Sequence, residues 1–345
     1  MTFKIDVFPH ILPRRFFDRL MEVAPSQLHM LKRMRNLPAL WDLDYRFSIM
    51  DKHDGYVQVL TLAAPPVESV GPPDLTADLA KLANDEMAAL VEKYPDRFPS
   101  FVASLAMNNP EACLREIDRA INELGATGIQ VFSNANGKPL DRPEFQPLWD
   151  RMAELGLPIW IHPARVAGFT DYPDEPRSKY DIWWAFGWPY ETSVAMARLA
   201  FSGIFDRHPD LRIITHHLGA MIPYFEGRIG GGLDQLGKRT DDPEDMAALG
   251  RLKKRPIDYF HMFYGDTALF GSWAGMECGL AFFGPDHVLF GTDYPFDPEE
   301  GPGFVRDTIA AMQKMRAPDE VKQQIYETNA RRMLRLKGPV AASSG

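Results

Sequence analysis

A single strand grammar, repeated at four places, constrains this chain more than any other feature. Phe3-Lys4-Ile5-Asp6-Val7-Phe8-Pro9-His10, Pro158-Ile159-Trp160-Ile161-His162-Pro163, Arg212-Ile213-Ile214-Thr215-His216-His217 and Val288-Leu289-Phe290-Gly291-Thr292-Asp293-Tyr294-Pro295-Phe296 are apolar runs of strand length. Each delivers a histidine or an aspartate at its C-terminal end, and prolines stop further pairing. In a sheet of parallel strands those ends lie together, and in a barrel of alternating strands and helices that end is where chemistry is built. Imidazoles with one carboxylate are the donors a divalent transition metal takes. His10, His162, one of His216 and His217, and Asp293 are therefore expected to converge.

The rest of the chain supports an alternating α/β pattern. Strand one, Phe3 to Phe8, presents Asp6, Phe8 and His10 on one face by its two-residue period. Arg14 to Asp54 reads as helical and irregular by turns. Further strands are expected at Tyr56–Ala63, Phe98–Ala106, Gly128–Phe132, Pro158–Ile161, Arg212–Thr215 and Met262–Gly265, the last ending in Asp266. Helices are expected at about Leu75–Lys93, at Pro110–Leu124 with proline at its start and Gly125 past its end, and at Glu144–Leu155 closed by Gly156. Others follow at Glu191–Phe205 and Gly303–Met315, and Asp319–Leu336 reads as one closing helix. The loop from Pro163 to Tyr190 is far longer than a strand-to-helix connection needs. It carries Phe169, Tyr172, Tyr180, Trp183, Trp184, Phe186, Trp188 and Tyr190, which suits a wall over a ring-stacking substrate or a contact with a second subunit.

Composition narrows the classes. With 345 residues and 45% hydrophobic content, residues 1–345 are expected to form one (β/α)8 TIM-barrel catalytic domain. A net charge of −9 argues against nucleic acid as a partner. Cys113 and Cys278 stand in no CxxC spacing, so neither a disulfide framework nor thiolate ligation is expected. No apolar run reaches the ~20 residues of a membrane span, and a soluble cytoplasmic protein is expected.

The histidines sort by their place relative to strands. His208, His261 and His287 precede strands and are expected on the non-catalytic face; His29 and His53 lie in helical or connecting segments. His10 and His162 end their strands and are the expected metal ligands. Between His216 and His217 the strand period leaves the choice open, since successive residues point to opposite sides.

These residues also carry a resemblance. Ile5 to Pro13, His162-Pro163, His217 with Gly219-Ala220 and Pro223, Gly227-Arg228-Ile229, and Gly291 to Phe296 occur in an order similar to that of the amidohydrolase superfamily. The branch they most resemble is the non-oxidative decarboxylases of the aminocarboxymuconate-semialdehyde decarboxylase type. The resemblance implies a divalent metal, zinc before manganese, held by His10, His162 and Asp293. It implies His217 as the catalytic histidine with Asp293 sharing in proton transfer, and His216 lining the pocket or buried against a neighbouring strand. It implies a small-molecule aromatic or muconate-type carboxylic acid as substrate and a homo-oligomer, dimer or tetramer, as in aromatic compound catabolism. Arg165 is expected to pair with a substrate carboxylate or to tie the long loop to Asp171 or Asp174. Trp183, Trp184 and Trp188 are expected to face the substrate. One departure stands out: where the family places a metal-binding residue on strand one, this chain has Phe8, which is expected to point into the site and shape its pocket. A metal-dependent hydrolase or hydratase on the same centre is the alternative reading. A barrel that has lost its metal and serves as a binding module is a third.

Overall fold

A computed structural model of the chain describes residues 3–24 and 30–336; His29 lies outside them. The barrel strands are β1 (Lys4–Asp6), β2 (Tyr56–Leu62), β3 in two pieces (Ser100–Phe101 and Ala103–Ser104), β4 (Ile129–Phe132), β5 (Ile159–His162), β6 (Ile213–Thr215), β7 (Tyr264–Asp266) and β8 (Val288–Leu289). Each pairs in parallel with the next, in registers such as Ile5↔Val57, Val59↔Ser100, Ala103↔Ile129, Ile129↔Ile159, Ile213↔Ile159, Ile214↔Tyr264 and Gly265↔Val288. The ring closes where the Val7 amide donates to the Phe290 carbonyl at 2.9 Å. This is the expected (β/α)8 barrel.

Parallel strands covered on both faces read as continuous apolar runs, and all seven residues of β2 are buried. Inside the barrel Ile5, Val57, Val59, Val102, Trp160, Ile214 and Leu289 pack together, and the Trp160 indole donates to the Val7 carbonyl at 2.9 Å. Met333 and Leu334 close this interior from the end opposite the site. The outer core lies between strands and helices and takes in Phe98, Phe101, Trp149, Phe205 and Phe260.

Helix boundaries follow local chemistry. Pro110–Asn122 begins with Asn109, whose side chain accepts from the Ala112 amide at 3.2 Å, and Pro110 takes the first turn, where its missing N–H costs nothing. Gln146–Leu155 ends on Gly156 at φ +60°, a left-handed cap that glycine reaches without strain. Two expectations are corrected. The loop after β5 is shorter than its sequence suggested, because Ile182–Ala185 and Gly187–Phe201 are helical. The closing helix is not continuous: Gln324–Thr328 forms a π-helical turn between Asp319–Gln323 and Asn329–Leu334. The widened turn sits where the Ile325 carbonyl accepts the Phe290 amide at 3.0 Å and the Asn329 side chain donates to the Val288 carbonyl at 2.8 Å, so it anchors β8. No helix among the described residues is long and apolar enough to cross a membrane.

Glu68 is a buried carboxylate outside the histidine cluster. It is 1% exposed, neither of its carboxylate oxygens has a well-aligned donor, and burial pushes its pKa up to about 8. Because folding raises this pKa, the protonated carboxyl is the form the fold accepts. Its contribution to stability is present below the unfolded value and is lost as pH rises through about 8. Glu68→Gln is therefore expected to leave the thermal midpoint unchanged at about pH 4.5 and to raise it at about pH 9. An equal shift at both, measured by calorimetry, contradicts this assignment.

Candidate active site

The C-terminal ends of β1, β5, β6, β7 and β8 bring together His10, His162, His216, His217, Asp266 and Asp293, all 7% exposed or less. His10 follows a break in the first strand, where Pro9 interrupts pairing and His10–Ile11 resumes it against Thr61–Leu62. Its Nδ1 lies 3.2 Å from Thr61 Oγ1, and its carbonyl accepts from the buried Arg46 guanidinium at 2.8 Å. His162 ends β5 rather than following it, and its Nδ1 is held by the Pro163 carbonyl at 2.7 Å. Both arrangements leave Nε2 facing the centre.

The second strand-end pair shows why periodicity left its choice open. His217, Leu218, Gly219 and Ala220 have φ of 58°, 52°, 71° and 54°, a left-handed turn that non-glycine residues enter only at a cost. The turn swings His217 back over its neighbour, so the two rings stack with centroids 3.9 Å apart instead of pointing to opposite sides. His217 Nδ1 meets the Ala268 carbonyl at 2.8 Å. His216 Nδ1 meets Asp266 Oδ2 at 2.6 Å, and Asp266 Oδ1 accepts from the amides of His217 at 3.2 Å and Ala268 at 2.9 Å. Asp293, itself at φ +61°, places Oδ1 3.0 Å from His10 Nε2 and 3.3 Å from His216 Nε2.

Electrostatics follow from burial. Desolvation lowers the pKa of His10 and takes that of His162 well below its ordinary value, so both are neutral, the form that ligates. Burial likewise takes His217 down to about 4. For His216 burial also opposes the charge, but the carboxylates of Asp266 and Asp293 outweigh it and push its pKa up to about 9. Burial opposes ionisation of Asp293, and the neighbouring His10 and His216 overcome it and hold that carboxyl well below the usual range.

A divalent cation fits this donor set. His10, His162 and His216 offer nitrogens within 4.8 Å of one another, as do the donor atoms of His216, His217 and Asp293. His10 Nε2 and His216 Nε2 are buried with no hydrogen bond satisfying either, although Asp293 lies close to both. Buried polar atoms are ordinarily paired, and two electron-rich atoms face each other stably only with a cation or a proton between them.

A cavity of about 500 Å³ opens beside His162, along Pro163, Ala164, Arg165 and Val166. Its apolar walls include Pro65, Pro66, Phe132, Phe169, Trp183 and Trp188. The rings of Phe132 and Trp188 also touch His162, with centroids 5.1 and 5.3 Å away. Trp183 and Trp188, expected to face the substrate, both line this cavity. Trp184 does not line this cavity; it lies against Phe270 and Trp188 and is 38% exposed. Phe8 does not line it either, being fully buried and stacked on His216. Arg165 lines the cavity, but its ion pair is with Glu191 at 2.8 Å and not with Asp171 or Asp174. His208, His261 and His287 make local bonds to Asp150, the Phe282 carbonyl and the Phe263 carbonyl, away from the centre. Asp266 and Arg46 were not singled out by sequence. Asp266 had a usable signal, since it ends its strand with the same grammar as Asp293; Arg46, in a mixed helix, had none.

The sequence model described as amidohydrolase matches residues 7–336. The chain belongs to the amidohydrolase family. It is 30% identical over 310 residues to the 2-amino-3-carboxymuconate-6-semialdehyde decarboxylase of Dictyostelium discoideum, covering 86% of this chain and 82% of that protein. It is 33% identical over 309 residues to the gamma-resorcylate decarboxylase of Rhizobium radiobacter, covering 86% and 88%. The dihydroxybenzoic acid decarboxylase of Polaromonas sp. JS666, solved with manganese and the inhibitor 2-nitroresorcinol, superposes with a TM-score of 0.78 at 27% identity, covering 97% of this chain and 98% of that one. The ordered motifs read from the sequence are thus those of this family, and its decarboxylases are the relatives the chain resembles.

Close packing beneath the centre gives a direct check. A Cβ at Gly291 would lie 2.8 Å from the Asp266 Cβ and 3.4 Å from the Phe8 Cβ, both fixed close to the backbone. Gly291→Ala is expected to cost ~1–3 kcal/mol of stability by overpacking and to lower turnover by displacing Asp266. A variant with unchanged unfolding midpoint and turnover contradicts the packing described.

Proposed function

We propose that the chain is a metal-dependent non-oxidative decarboxylase of an aromatic carboxylic acid, a carbon–carbon lyase. The observation that carries the reading is the buried convergence of His10, His162, His216, His217 and Asp293 beside an aromatic-walled cavity of ring size, in a chain whose relatives include gamma-resorcylate decarboxylases. His10, His162 and Asp293 would hold the cation, which when bound polarises substrate oxygens as a Lewis acid. Their imidazole and carboxylate donors suit zinc and manganese, and manganese is the ion in the Polaromonas structure.

Each residue has a defined task. Trp188, Trp183 and Phe132 stack on the faces of the ring and exclude water. The Arg165 guanidinium, tied to Glu191 and laid over Phe169, supplies cationic character on the wall at which an acid group enters. His217, its Nδ1–H committed to Ala268, turns Nε2 to the substrate and takes or holds the proton of a ring hydroxyl, raising electron density at the carbon that bears the carboxylate. That carbon accepts a proton delivered through Asp293 and drawn finally from solvent. The bond to the carboxylate then breaks, its electrons return to the ring, and carbon dioxide leaves. The exposed rings of Tyr172, Tyr180 and Phe186 on the same segment suit a homo-oligomeric contact, and a cytoplasmic location fits such an enzyme.

The test is a screen of hydroxybenzoates, aminobenzoates and muconate-type acids for carbon dioxide release, with and without a chelator. Release from a hydroxylated benzoate that stops on chelation is the expected result, whereas hydrolysis of an ester or amide with no carbon dioxide favours the hydrolase alternative. His162→Ala and Asp293→Ala are expected to lose metal and turnover together. His217→Asn is expected to retain metal and lose about a hundredfold or more in turnover; full activity in that variant contradicts its role.

A further inference from the structure

Strand one offers no donor where Phe8 stands, and the Phe8 ring lies face to face with His216, centroids 3.8 Å apart and planes at 18°. Phe8 also packs edge-on against His10 at 5.5 Å. Phe8, which has no donor atom, thus forms the surface on which the His216 imidazole rests.

We propose that His216 Nε2 is a metal ligand, filling the coordination vertex that strand one gives up at Phe8, so that the ion is held by His10, His162, His216 and Asp293. The inference rests on the metal-dependent reading above. Four observations support it. The Nδ1 of His216 is committed to Asp266 Oδ2 at 2.6 Å, and a carboxylate behind the ring fixes the tautomer that presents Nε2 to a metal. Asp266 is itself fixed by the amides of His217 and Ala268. His216 Nε2 is buried without a hydrogen bond, as is His10 Nε2. The nitrogens of His10, His162 and His216 lie within 4.8 Å of one another, and Asp293 Oδ1 lies 3.3 Å from His216 Nε2. Phe8 is then a positioning residue, its stacked ring setting the plane of the His216 imidazole. The rival arrangement has a proton in place of the ion, with His216 as an imidazolium bridging Asp266 and Asp293.

Metal binding separates the two. The full chain, stripped with a chelator, is titrated with Zn²⁺ and with Mn²⁺ by calorimetry, and the zinc-loaded protein is examined by X-ray absorption. The wild type is expected to show three imidazoles on the ion, a readout that needs no variant. His216→Ala is expected to bind at least about tenfold more weakly, and Asp266→Asn about ten- to a hundredfold more weakly through loss of the orienting carboxylate. Adding Phe8→His to His216→Ala is expected to restore affinity, with circular dichroism confirming that each variant is folded. Two imidazoles on the wild-type ion, or His216→Ala with wild-type affinity, overturns the assignment of His216 alone. A double variant as weak as His216→Ala overturns the exchange of vertices. A wild type that binds neither ion overturns both the metal-dependent reading and this inference.

Discussion

The site depends on one congested carboxylate. Asp293 Oδ1 lies 3.0 Å from one buried imidazole nitrogen and 3.3 Å from another, and neither nitrogen is hydrogen-bonded. Taken into a low-dielectric interior, such a group is costly unless positive charge lies among its neighbours. The arrangement is intelligible as a cage for a cation, and much of the surrounding structure exists to maintain it. The left-handed conformation of Asp293, the left-handed turn from His217, the buried Arg46 under the His10 carbonyl and the missing Cβ at Gly291 each hold one wall in place. Strain and buried charge concentrate here because the barrel around them is rigid enough to sustain both.

The same rigidity divides labour between the two consecutive histidines. His216 is turned inward and backed by Asp266, while His217 is backed by a neutral carbonyl and keeps a little access to solvent at 7% exposure. Burial, with His216 beside it, takes His217 down to about 4, whereas the carboxylates of Asp266 and Asp293 outweigh burial at His216 and push its pKa up to about 9. Adjacent residues of one type thereby acquire different chemistry.

Much of this was legible in the sequence. The barrel followed from apolar runs alternating with helices, and His10, His162 and Asp293 from their places at strand ends, because parallel strands put those ends together. The choice between His216 and His217 was not legible, since strand alternation offers one inward position and the left-handed turn supplies two. Of that turn only Gly219 carries a conformational signal. The partner of Arg165 was misjudged because Glu191 comes from a helix that begins at Gly187, earlier than its sequence suggested. Phe8 was expected to shape the pocket, whereas it lies buried on His216 and does not line the cavity; that stacking depends on the relative height of two strands far apart in the chain, which no local pattern encodes.

The central claim is that the bond broken lies between a ring carbon and its carboxylate. Turnover of an active hydroxybenzoate in deuterated, oxygen-18-enriched water, followed by NMR and mass spectrometry of the product, tests it directly. Decarboxylation puts one deuterium on the ring carbon that lost the carboxylate and no oxygen-18 in the ring product. A product that retains its carboxylate and gains oxygen-18 contradicts the account.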